Sequence, residues 1–116
     1  MKEVLSIALF ALLISFNGFT QSTSNVQLFG QCMFNIESVD DLNQLTEEMK
    51  LNPAIEMVRL DFNTQRALII TKNLQTLTES DFISWFGVYS NTIYCTQIGV
   101  YGVDELEKFP FVNCQN

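Results

Sequence analysis

The sequence contains no histidine. That absence excludes the Ser-His-Asp triad and the Cys-His pair, in which an imidazole activates the nucleophile. It also removes the usual ligand of catalytic zinc and the ordinary pH switch. Positive charge is scarce: 6 Lys and Arg stand against 13 Asp and Glu, a formal net charge of −7. Nucleic-acid binding needs a basic face that displaces counterions from phosphates, and anionic bilayers attract proteins through basic segments. With so little to build either from, no nucleic-acid partner is expected, and the acidity reads as a solubility device. Cysteine is confined to Cys32, Cys95 and Cys114. No two of them form a C-x-x-C pair, so dithiol catalysis of the thioredoxin kind is not expected. Asp40, Asp41, Glu47 and Glu48 crowd one helix without the D-x-D-x-D-G spacing of a calcium loop. They read as a solvated helix face. No pattern places two carboxylates across a cleft as a glycoside hydrolase requires, and no catalytic residue, cofactor or metal ligand is assigned. Internal repeats and low-complexity tracts are absent from the sequence as well.

What is present begins with an apolar run. Lys2 follows the initiating methionine, and Val4 to Phe16 is interrupted only by Ser6 and Ser15. Crossing a bilayer as a helix takes about 20 apolar residues, so this run is short for a span and of the right length for a signal peptide. Gly18 and Thr20 supply the small residues of a cleavage site that leaves Gln21 as the new N-terminus. Residues 1–20 are therefore expected to be a signal peptide, the alternative being an uncleaved anchor. The product is expected to be exported, periplasmic or secreted, without stable membrane anchoring after cleavage. Residues 21–116, about 96 in number, suffice for one core and not two. Lys2 and Glu3 leave together, so the net charge is unchanged by cleavage.

Along this domain the periodicities alternate. From Asn25 to Glu37, Val26, Leu28, Cys32, Phe34 and Ile36 share one parity and polar residues the other, which predicts a half-buried strand. Gly30 falls on the apolar parity, where it marks a bulge or the close approach of a helix. Ser38 is placed to cap a helix, with Asp41 three residues on, and Leu42, Leu45 and Met49 form one apolar stripe. Asn52-Pro53 ends it. Val58, Leu60 and Phe62 alternate with Arg59 and Asp61, Asn63 to Arg66 supplies a turn, and Ala67 to Thr71 is the return strand. Thr78 caps a second helix, in which Phe82, Trp85, Phe86 and Tyr89 form an aromatic stripe that reads as core, with Gly87 as an irregularity. A last strand lies within Ile93 to Val103. From about Asp104 the tail is irregular, though Phe109, Phe111 and Val112 suggest that it folds back. The order strand, helix, strand, strand, helix, strand predicts an α+β, ferredoxin-like two-layer sandwich: a four-stranded antiparallel sheet with both helices on one face.

The GQC of residues 30–32, the run NPAIEMVRLD over 52–61 and NTQRALII over 63–70 resemble the first strand and central hairpin of the heavy-metal-associated domain family. That resemblance covers Val26 to about Tyr101 and implies the same ferredoxin-like fold. The family binds soft metal ions through a C-x-x-C loop between the first strand and first helix. Here Ile36-Glu37-Ser38-Val39-Asp40 stands in that place, so the thiolate site does not carry over.

Three cysteines in an oxidising compartment leave one over. A Cys95–Cys114 disulfide would tie the tail to the last strand, closing a loop of about 20 residues worth about 3 kcal/mol on the chain-entropy account. Cys32–Cys95 is the competing pairing, since first and last strands are neighbours in this fold. With the first pairing, Cys32 remains a buried free thiol acting as a small apolar residue. Phe29, Met33 and Tyr101 lie off the apolar parity, which places them on the sheet face that the helices leave uncovered. Exposed there, they would form a contact surface; alternatively, Phe109 and Phe111 of the tail cover them. The expected function is that of a non-enzymatic exported domain acting by protein or ligand contact, with soft-metal handling through a displaced site as the second reading.

Overall fold

The computed structural model describes residues 26–108, 111 and 114. The expected signal peptide, Phe109 and Val112 lie outside the described residues. Four strands and two α-helices follow in the order β1 (Leu28–Met33), α1 (Val39–Lys50), β2 (Ile55–Asp61), β3 (Arg66–Thr71), α2 (Glu79–Ser84) and β4 (Tyr94–Val100), with a 3₁₀ helix at Gly87–Thr92.

The local signals for α1 act as their chemistry dictates. Ser38 is extended, and its Oγ accepts from the Asp41 amide at 3.2 Å, satisfying one of the amides that a helix start leaves without a partner. Asp40 and Asp41 meet the positive end of the dipole and Lys50 the negative end. Leu42, Leu45 and Met49 are buried. Asn52 then accepts from the Ala54 amide through Oδ1 at 2.8 Å, turning the chain around Pro53 into β2.

In the β2–β3 turn, Asp61 Oδ2 accepts from the Thr64 amide at 2.9 Å and from the Thr64 hydroxyl. Gln65 follows at φ +57, a left-handed conformation that glycine adopts more readily. Its side chain accounts for its presence there. Oε1 accepts from the Ile36 amide at 2.8 Å and Nε2 donates to the Phe62 carbonyl at 2.7 Å, so one turn residue holds the connection between β1 and α1.

Thr78 caps α2 as expected, accepting from the Asp81 amide at 3.0 Å. The helix stops sooner than the aromatic stripe: Gly87, at φ +58, breaks it and the chain continues as the 3₁₀ helix. Phe82 and Phe86 are nonetheless fully buried, with Trp85 and Tyr89 half-buried against the same core. The rings of Phe82 and Phe86 meet edge to face at 5.5 Å. The stripe is core, although no single helix carries it.

The sheet order is β2-β3-β1-β4 with every pair antiparallel. One core gathers Cys32, Phe34, Ala67 and Ile69 from the strands, Leu42, Leu45 and Met49 from α1, and Phe82 and Phe86 from around α2. Gly30 belongs to this face; a Cβ there would collide with the Phe82 ring, which lies directly on the backbone. This α+β architecture is compatible with a ferredoxin-like fold. Register slips by one residue in both outer strands, in β2 between Ile55 and Met57 and in β4 opposite Gln31–Met33, where Cys95 takes φ +58.

Candidate functional site: the sheet face opposite the helices

Because side chains alternate along a strand, the register defines three rows across the other face. Gly99, Phe29, Ile70 and Met57 form an apolar row; Gln97, Gln31, Leu68 and Arg59 form the middle row; Tyr94, Met33, Arg66 and Asp61 form the third.

The chain returns over this face after β4. Asp104 closes a turn on Val100: its Oδ2 accepts from the Val100 amide at 2.7 Å, and its own amide donates to the Val100 carbonyl at 2.8 Å. Gln97 Nε2 then donates to the Glu105 carbonyl at 3.0 Å. The Glu107 amide donates to Gln31 Oε1 at 3.0 Å and to Gln97 Oε1 at 3.2 Å, while Gln31 Nε2 donates to the Glu107 carbonyl at 3.3 Å. Two neighbouring glutamines thus hold the returning backbone as a partner strand would. The Cys95–Cys114 disulfide brings the chain back to β4 further on.

This segment explains where the anticipated contact residues lie. Phe29 faces away from the helices as its parity requires and is 0 % exposed, so of the two alternatives it is covered and not open. Gly99 stands opposite it on β4, and a Cβ there would sit 2.9 Å from the Phe29 ring and 3.0 Å from Asp104 Cβ. The ring therefore occupies the space that glycine leaves, with the Asp104 turn beside it. Met33, four residues along β1, is half-buried in the third row. Tyr101 lies beyond β4 and is 44 % exposed, its amide donating to the Gln27 carbonyl at 2.8 Å. The three do not form one surface. Cys32 is a buried free thiol, and burial pushes its pKa from 9.0 up to about 12.

Beyond Gln31 the returning segment stands over β3 and β2 and leaves a cleft of about 380 Å³. Its floor is Gln31, Leu68, Arg59, Asp61 and Arg66; its wall is Leu106, Glu107 and Lys108. Three of the five cations among the described residues line it. Asp61 is held below the usual carboxylate range, first by the hydrogen bonds from the Thr64 hydroxyl and amide and further by the charges of Arg66 and Arg59. Among the described residues Arg59 and Lys108 are in no direct ion pair.

The sequence pointed to a tail that folds back and to its tie at Cys95–Cys114, but not to the glutamine contacts or to the cleft. Gln31 and Gln97 read as solvent-facing strand positions, and Arg59 and Asp61 as ordinary polar alternation. The one available signal was Gln31, a large amide at the centre of the most apolar strand. Among the described residues no three His, Cys, Asp or Glu side chains gather closely enough to hold a metal ion, and no helix is long and apolar enough to cross a membrane. No protein-family model matches this chain, and no curated protein matches it either.

Proposed function

We propose that this protein is an exported, non-enzymatic binding module that works through the sheet face opposite its helices, with the segment after β4 forming one wall of the binding site. The observation that carries this reading is the cleft itself. Among the described residues the returning chain neither leaves the face bare nor seals it, but lies over the β1–β4 half beside a hollow over β2 and β3. Concave sites built where two pieces of chain meet are the usual places for ligands. Export is supported by the apolar run at Val4–Phe16 and by the Cys95–Cys114 disulfide, a bond that persists in oxidising compartments. The strand order supports the finer reading of the fold as ferredoxin-like, and with it the likeness to heavy-metal-associated domains. Soft-metal handling is the weaker reading, because two thiols are spent on each other and the third is buried.

A small-molecule fragment screen by amide chemical shifts on the exported protein tests the proposal. Hits should shift the amides of Gln31, Arg59, Leu68 and Leu106–Lys108. Leu68→Trp, which fills the hollow from its floor, should abolish them without lowering the melting temperature. Hits confined to the helix side, or hits that survive Leu68→Trp, would show that this face is not the site. An intact mass beginning at Gln21 tests export separately.

A further inference from the structure

Resting on the binding-face reading, the cleft chemistry goes a step further and names the class of ligand. The chain carries more than two acids for every base, yet the cleft is lined by Arg59, Arg66 and Lys108 against Asp61 and Glu107. A locally positive hollow in a strongly negative molecule is a selective feature, since the net field of the molecule repels anions from most of the remaining surface. Asp61 does not neutralise it fully. With Glu107 it sets two carboxylates against three cations, and Arg59 and Lys108 remain without a direct ion pair among the described residues. Arg59 and Lys108 belong to opposite sides of the hollow, one on the β2 floor and one on the wall, so an anion between them would be met from both. Leu68 on the floor and Leu106 on the wall supply an apolar strip beside the charges. The volume, about 380 Å³, is at the small end of ligand pockets and suits a small molecule rather than a folded partner.

We infer that this cleft binds a small organic anion, a carboxylate or phosphate held by Arg59, Arg66 and Lys108 with a short apolar stem against Leu68 and Leu106. The shared chemistry is an anionic oxygen group; arginine meets it with a planar fork and lysine with a point charge.

Amide-shift titrations with hexanoate, hexyl phosphate, hexanol and hexylamine at low ionic strength test this. Hexanoate or hexyl phosphate should saturate, shifting Arg59, Leu68 and Leu106, with hexanol and hexylamine at least about tenfold weaker. Arg59→Gln and Lys108→Gln, both at exposed positions, should each weaken the anion by roughly five- to tenfold while leaving the melting temperature unchanged. Added salt should weaken it further. Equal binding of hexanol and hexanoate would overturn the anion assignment and leave the binding-face reading standing. Anion shifts confined to Lys50 or Lys72, unchanged affinity in both variants, or no saturation by either anion would overturn the inference, whereas the fragment screen alone decides whether the face binds at all.

Discussion

At the scale of single residues, Cys32 and Gly30 show how closely the helix-side core is filled. Cys32 is fully buried, and its thiol is pushed up to about 12 by loss of solvent alone. Well below pH 9 it is protonated in folded and unfolded chains alike and adds nothing to the pH dependence of stability. Between pH 9 and about 12 the unfolded chain gives up the proton and the folded chain keeps it, so stability falls as pH rises. The loss can reach about 4 kcal/mol at the upper limit. Denaturant titrations from pH 8 to 11 should show a steeper alkaline decline for the wild type than for Cys32→Ala. In the same vein, iodoacetamide should label one thiol per chain in denaturant and none in the native protein; rapid native labelling would contradict the buried placement. Gly30 is constrained by the Phe82 ring lying on its backbone. Gly30→Ala should lower stability by about 1–3 kcal/mol through overpacking, read as a shift of the urea midpoint at unchanged slope.

At the scale of elements, the helices and the hairpin were legible because their determinants are local. Ser38 with Asp41 and Thr78 with Asp81 act across three residues, and the stripe of Leu42, Leu45 and Met49 lies on a single helix. The place of Gly30 under a packed side chain was legible too, since a glycine on an apolar parity has few other uses. The length of α2 was not, because an aromatic stripe keeps its spacing through a short 3₁₀ continuation. That the tail folds back was legible, but how the returning segment is held escaped for a different reason. It has no hydrophobic period of its own and is held in part by the side-chain amide of Gln31, 76 residues away in the chain, a pairing that strand patterns do not encode. Whether Phe29 is open or covered was left undecided for the same reason, although Gly99 opposite was the clue. Gln31→Leu keeps the volume and removes both bonds to Glu107, taking the Gln31 donor from a half-buried carbonyl. It should cost about 1–3 kcal/mol and speed hydrogen exchange at the Glu107 amide, with little effect on exchange in α1. Unaltered exchange at Glu107 would mean that Gln97 alone secures the segment.

At the scale of the whole molecule, the Cys95–Cys114 disulfide and the amide contacts at Glu105 and Glu107 are what the described residues show joining the chain after β4 to the sheet. Cys114→Ser should lower stability by about 3 kcal/mol on the chain-entropy account, a drop of more than about 10 °C in melting temperature for a domain of this size. It should also expose Phe29, measurable as increased binding of an apolar dye. If dye binding is unchanged, the amide contacts hold the segment without the bridge. The slipped registers of β2 and β4 have a consequence of their own. These are the two outer strands of the sheet among the described residues, and an outer strand is where another copy of a chain can add its own strand and begin a growing fibre. Each carries a one-residue bulge, and in β4 the left-handed turn at Cys95 also breaks the straight line of amides and carbonyls. The irregularity at Cys95 therefore helps to keep this small acidic protein from polymerising edge to edge.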